Sequence, residues 1–279
     1  MGKISYALLL FIGAVIFGFP IFWMVRGSLI SQAFWMKIPV VWLPPLEELS
    51  LSMFKKLFCS SDFRMQTILF NTGFIAVVGM IFNIVFDCMA GFALAKMNLP
   101  GKKILVLLLM ITLMVPFESM MVALYLVVAR IGLANSMAGI ILPISANVFS
   151  IILIWRFFEK VPNDIIEAAR VDGAGWGKIL FTIAMPLATP AISTIAILQF
   201  LVGWESFVWP MLITDPNSKF DVLPKVIANA TYSTIGGASE TEWPYVMAAG
   251  LISTLPIIMV FIFGQRFFIK GLTGGSVKG

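Results

Sequence analysis

Apolar residues fall into six long runs, at about residues 5–25, 67–95, 103–127, 137–158, 186–213 and 244–268, and the stretches between them hold most of the charge. A helix that crosses a hydrocarbon core of about 30 Å needs about 20 predominantly apolar residues. Every run reaches that length, and the pattern predicts an all-α integral membrane protein with about six transmembrane helices. The first run follows Lys3, as a signal peptide would. It also contains Pro20 and ends without a small-x-small cleavage signature, so it reads as an uncleaved helix. Lys and Arg set the sidedness. With six spans, eleven of them fall on the side of the termini and eight on the other, where they are spread over much longer loops. That density predicts a multi-pass protein of the cell membrane with both termini cytoplasmic.

Composition narrows the chemistry. The 279 residues are 60% hydrophobic and only 12% charged, with a mean hydropathy of +0.99. Soluble domains are roughly 45–50% apolar and about 25% charged. A net charge of +5 therefore does not make this a nucleic-acid binder. The chain has no His, which removes Ser-His-Asp and Cys-His nucleophiles and His-bearing metal sites. Cys59 lies in a polar stretch and Cys88 in an apolar one, so no disulfide or redox role is expected. Gly177-Lys178 is the nearest approach to a phosphate-binding loop, but it has Asp172 where the first Gly belongs and Ile179 where Ser or Thr belongs. No catalytic residue, metal site or cofactor is assigned, and any ATP dependence must come from a partner.

The loop between the fourth and fifth runs, about residues 159–185, is long for a membrane connection. Pro162 suits a first helical turn, Asn163 or Asp164 can cap it, and Asp164 with Glu167 has capping-box spacing. Ile165, Ile166, Ala168 and Ala169 give the short helix an apolar patch, and Gly173 ends it. A helix this short is marginal alone in water. It either lies on lipid headgroups or docks on a cytoplasmic protein, and the residues alone leave both open. A carboxylate triad of Asp164, Glu167 and Asp172 could be imagined as a metal-dependent enzyme site, but Arg170 lies among them.

In this loop Glu167-Ala168-Ala169, then Gly173 four residues on, then Ile183-Ala184-Met185-Pro186, resembles the EAA loop of permease subunits of binding-protein-dependent ABC importers. Met185 replaces the usual Leu. The run through Asp172 is similar to the carbohydrate-uptake branch. Gly203-Trp204-Glu205-Ser206-Phe207-Val208-Trp209-Pro210 resembles the fifth-span motif of maltose-type permeases, with Glu205 where Asn is common. The end, Gln265 to Gly279, resembles the tail of the second permease subunit of such importers. The resemblance covers about residues 65–279. It implies a type I importer permease: residues 1–64 as a first span with an outer loop, and 65–279 as a core of five spans with an EAA loop at 159–186 and a tail at 270–279.

The family implies the rest. This subunit would form half of the path for a carbohydrate, with oligosaccharide the leading cargo. Its partners would be a second, different permease subunit, two cytoplasmic ATPase subunits that hold ATP and Mg, an extracytoplasmic solute-binding protein and the membrane lipid. Glu167, Ala168, Ala169, Asp172 and Gly173 would make the ATPase-coupling helix. Gly271, Leu272, Thr273, Gly274 and Lys278 would reach the ATPase pair. The outer loop 214–243 would meet the solute-binding protein. Asp87, Glu118 and Glu205 are acids within apolar runs, where an ionisable group usually faces a cavity or a partner. Glu118, Trp204, Glu205 and Trp209 are candidates for lining the path, against the alternative of Trp residues at the headgroup level. Asp87 lies one turn from Asn83 and suits an inter-helix hydrogen-bonding face. The rival class is an ion-coupled secondary transporter, whose inverted repeats should show as matching halves; none is visible in the sequence.

Overall fold

The computed structural model describes residues 2–59, 65–216, 218–232 and 241–273, and among them every regular element is helical. In chain order α1 (Gly2–Ser28) is followed by α2 (Gln32–Trp35), α3 (Ser52–Cys59), the long α4 (Met65–Lys96), α5 (Lys102–Thr112), α6 (Phe117–Arg130) and α7 (Met137–Ile141). Next come α8 (Val148–Glu159), α9 (Asn163–Val171), α10 (Trp176–Ile179), a π-helical turn (Leu180–Ala184), α11 (Met185–Leu187) and α12 (Thr189–Trp204). The chain continues through α13 (Val208–Ile213), α14 (Leu223–Tyr232) and α15 (Trp243–Thr273).

Among the described residues three helices are long and apolar enough to cross a membrane: Ser5–Ser28, Met65–Lys96 and Trp243–Gln265. The third and fourth predicted spans are not straight helices but bent pairs: Lys102–Thr112 with Phe117–Arg130 at 103°, and Met137–Ile144 with Val148–Glu159 at 48°. A further bent pair, Trp176–Leu187 with Thr189–Trp204 at 87°, runs from the loop before the predicted fifth span into that span. Counting each pair as one span gives six. Alone, the 11 residues of α5 reach only about 16 Å and the 14 of α6 about 21 Å. Pro116 explains the sharpest bend. It sits at the N-cap of α6, where its missing N–H and fixed φ start a new helix rather than continue the old one. The predicted fifth run, 186–213, is interrupted again at 205–207, between α12 and α13.

The chain forms two compact units, each made of two stretches of sequence. One comprises residues 1–70 and 222–258. In it Gln32 Nε2 donates to the Thr241 carbonyl at 3.0 Å, Lys56 pairs with Glu242, and Gly27 lies against Met247 and Trp35. A Cβ at Gly27 would come within 2.8 Å of both neighbours. These contacts tie the loop after α1 to the start of α15, which is why the unit is discontinuous in sequence.

The other unit comprises residues 71–221 and 259–279. Here α4 approaches two neighbours at backbone distance, as small residues allow in membrane helices. A Cβ at Gly203 on α12 would sit 2.8 Å from Ala76 Cα. One at Gly91 would overlap Ile154 on α8 and stand 3.0 Å from the Trp155 backbone nitrogen. One apolar cluster joins Cys88 and Phe92 of α4, Ile154 and Phe158 of α8, Ile166 of α9, and Ala191 and Ile195 of α12.

Candidate functional site

The loop helix α9 begins without the predicted side-chain cap. Pro162 holds the N-cap position, and neither Asn163 nor Asp164 bonds to the first-turn amides. The Asn163 side-chain oxygen is taken instead by Lys96 at the end of α4. Lys96 Nζ donates to Asn163 Oδ1 at 2.8 Å and to the Val161 carbonyl at 2.6 Å. A charged donor outcompetes a neutral backbone amide for that oxygen.

The C-terminus follows the prediction. Gly173 has φ +80°, a left-handed conformation that L side chains rarely adopt. Its N–H donates to the Arg170 carbonyl at 3.0 Å, and the Ala174 N–H donates to the Ala169 carbonyl at 2.9 Å. That pair of bonds is a Schellman motif, and Ala169 and Ala174 both pack on the apolar cluster, as the motif's hydrophobic contact requires.

The two faces of α9 differ. Ile166 is buried in the cluster, beside Phe158 and Phe92. Asp164, Ile165, Glu167, Ala168, Val171, Asp172 and Gly173 are exposed, Val171 at 86%. Trp176 packs edge-on to Phe92 at 6.0 Å, and the Arg170 guanidinium lies 4.3 Å over its ring. Beside the helix is a cleft of about 710 Å³. It is bounded by residues 95–100 and Lys102 on one side, and by Asn163, Ile166, Glu167, Arg170 and Trp176 on the other. The five residues expected to couple are therefore on one short helix and its exit, four of them exposed and Ala169 half-buried.

The path candidates divide. Glu118 is exposed in the first turn of α6, where an acid suits the helix dipole. Glu205 is exposed and is the C-cap of α12, at a helix break rather than within a helix. Trp204 and Trp209 are enclosed by this chain, at 5% and 1% exposure. Trp209 Nε1 donates to the Gly139 and Ile140 carbonyls at 3.2 Å each, and its ring meets Phe117 edge-on at 6.3 Å. The indole tethers α13 to the end of α7, which satisfies its one polar group.

Asn83 and Asp87 do form an inter-helix hydrogen-bonding face. Asn83 Nδ2 donates to the Ile144 carbonyl at 2.9 Å, and the Asn147 N–H donates to Asp87 Oδ1 at 3.0 Å. Both side chains are buried. They serve the two sides of the break between α7 and α8, where the backbone has left its helical bonds. Irregular backbone at membrane depth survives only where protein groups satisfy it. Ser150 extends the polar seam by accepting from Gln199 Nε2 of α12 at 3.0 Å. Sequence reasoning missed Asn147, Ser150 and Gln199, which carry no charge and are distant in the chain.

Of the tail, Gly271, Leu272 and Thr273 continue α15, while Gly274 and Lys278 lie outside the described residues. Of the outer loop, Asn217 and 233–240 also lie outside them.

The family model for the binding-protein-dependent transport system inner membrane component matches residues 87–274, from the Asp87 face through the EAA loop to the tail. The chain belongs to that family. The permease is 34% identical over 209 residues to an arabinooligosaccharide transport system permease protein of Halalkalibacterium halodurans, covering 75% of this chain and 73% of that one. It is 27% identical over 268 residues to an sn-glycerol-3-phosphate transport system permease protein of Brucella abortus, covering 95% and 94%. Its fold superposes on a chain of a bacterial ABC transporter involved in the import of the acidic polysaccharide alginate. That match has a TM-score of 0.81 at 27% identity and covers 95% of this chain and 96% of the other. The three bent helix pairs thus belong to a known transport-permease fold.

Proposed function

We propose that this permease forms half of the translocation path of an ATP-driven importer for a carbohydrate or a carbohydrate-like anion, and that α9 seats it on a cytoplasmic ATPase. The observation that carries the reading is the division of α9 into two faces. Ile166 is fastened into the cluster shared with α4, α8 and α12, while Ile165, Glu167, Ala168 and Val171 form an outward face with apolar residues at its centre. A marginal helix fixed on one side and apolar on the other suits a protein groove. The density of Lys and Arg favours both termini, and α9 with them, on the cytoplasmic side.

The cargo class rests on the relatives, whose names specify arabinooligosaccharides, sn-glycerol-3-phosphate and alginate. By the same reasoning the remaining partners are a second permease subunit, two ATPase subunits holding ATP and Mg, and an external solute-binding protein. The tail beyond α15 contacts the ATPase pair, this chain performs no hydrolysis itself, and Glu205 lines the path.

The test is the assembled complex in lipid with its binding protein. A carbohydrate should stimulate ATP hydrolysis, and Glu167→Lys should abolish that stimulation while the subunits still co-purify. The variant reverses charge on the exposed face of α9 without touching Ile166. Wild-type stimulation and transport in an assembled Glu167→Lys complex would remove α9 from coupling.

A further inference from the structure

The segment after α2 folds back along α1. Trp42 packs against that helix, its ring edge-on to Trp23 at 5.6 Å and tilted against Phe19 at 6.0 Å. Trp23 lies five residues before the end of α1 and Phe19 nine, about 7 Å and about 13 Å down the helix axis. The crossing segment of α1 has 24 residues, about 36 Å, against a core of about 30 Å. Even if all of that excess emerges at the C-terminal end, Phe19 lies below the edge of the hydrocarbon and Trp23 lies at it. The ring that packs on both is held at the same depth.

The chemistry of residues 38–46 fits that depth. No charged residue falls between Lys37 and Glu47. Pro39, Pro44 and Pro45 have no backbone N–H, so a third of the segment has no donor to leave unsatisfied in an apolar medium. Arg26, buried in this unit, donates from Nε and a terminal nitrogen to the Val41 carbonyl at 3.1 and 2.6 Å. Its guanidinium sits 4.6 Å over Trp23 and 5.7 Å over Trp35, where an aromatic and basic belt is expected at a membrane edge. The remaining apolar side chains point away from the protein. Ile38 is 94% exposed, Leu43 77% and Leu46 86%. A soluble loop would gain nothing by presenting them to water.

We infer that residues 38–46 form a lipid anchor, a fold-back that inserts Ile38, Leu43 and Leu46 into the headgroup–acyl boundary of the leaflet where α1 ends. Its ligand is the bilayer itself. The anchor fixes the depth of α1, whose most apolar 18-residue window is not buried within this chain.

The experiment is site-directed spin labelling of the assembled complex in nanodiscs of phosphatidylethanolamine and phosphatidylglycerol, in a Cys59→Ser background that leaves only the buried Cys88. Labels go on Leu43→Cys and Leu46→Cys, both exposed positions. Leu9→Cys in α1 is the lipid control, and Lys55→Cys in α3 is the water control. The oxygen-to-nickel-chelate collision ratio at 43 and 46 should lie several-fold above that at 55, towards that at 9. Ratios equal to that at 55 would mean a solvated loop and overturn the anchor. Shielding from both reagents would mean that a protein partner covers the segment, and would overturn it equally.

Discussion

Replacing Asp87 separates two roles of one carboxylate. Its Oδ1 accepts the Asn147 N–H at 3.0 Å, and its other oxygen is buried without a hydrogen-bond partner among the described residues. Asn147 is the N-cap of α8, directly after the 48° break, so its N–H has no helical carbonyl to reach. Asp87→Asn removes the charge but keeps an acceptor in the same position. Asp87→Leu removes both. The difference between the two variants is the cost of leaving that N–H unpaired, about 1–3 kcal/mol, or roughly 5–150-fold in the equilibrium between closed and opened forms. Cys88, the next residue, supplies the readout because its thiol is buried. In a Cys59→Ser background, labelling of this chain by a fluorescent maleimide during heating reports the loss of packing around α4. The Leu variant should label at a lower temperature than the Asn variant, and the Asn variant should stay near the parent. If Leu proves as resistant as Asn, the bond to Asn147 contributes nothing and the account of the break is wrong.

Two glycine substitutions probe the other contacts. Gly91→Val should destabilise by about 1–3 kcal/mol through overpacking, because the new side chain meets Ile154 and the α8 backbone at Trp155. Gly13→Val, with nothing within 4 Å, is the control, and equal melting of the two complexes would contradict the close approach of α4 and α8. Gly173→Ala should cost about 1–2 kcal/mol through its left-handed φ alone, since no atom lies within 4 Å of the added Cβ. Solute-stimulated ATP hydrolysis should then fall in the order Gly, Asn, Ala at position 173, because Asn tolerates this conformation better than Ala. Indifference to all three would detach the Schellman motif from function.

The number of apolar runs was legible because hydropathy integrates over a whole span, but the same integration hides bends. A window over 103–127 is equally apolar whether the chain runs straight or turns by 103° at residue 113 to 116. Only Pro116 betrays that break, and the breaks at 145–147 and 205–207 have no proline within them. The end of α9 was legible because Gly173 acts locally, through its own φ. Its start was not, because Asn163 is claimed by Lys96, 67 residues earlier. The pair Asn83 and Asp87 stood out as polar residues one turn apart in an apolar helix, whereas their receptors at Ile144 and Asn147 depend on a fold that no local pattern encodes. The burial of Trp204 and Trp209 was not legible for a related reason. A Trp near a span end suits a path lining or the headgroup level by composition, and only packing reveals that these two are enclosed by this chain.

The contacts of α4 constrain how a displacement of α9 could reach the spans. Along a single helix, Ala76 meets Gly203 of α12, Asp87 holds the start of α8, Gly91 admits Ile154, Phe92 touches Phe158 at 5.6 Å and Trp176 at 6.0 Å, and Lys96 grips Val161 and Asn163. From 76 to 96 these positions cover about 30 Å of helix. Moving α9 while α4 stayed still would break the charge-assisted bond from Lys96 to Asn163 and pull Ile166 out of the cluster that holds Phe92. Moving both together breaks neither. The cheaper motion carries α4, α8 and α9 as one body, and the strain then falls on segments that lack such fastening, above all the turn between α5 and α6. There the Leu113, Met114 and Val115 side chains are exposed and no hydrogen bond ties the backbone to another helix among the bonds of the described residues.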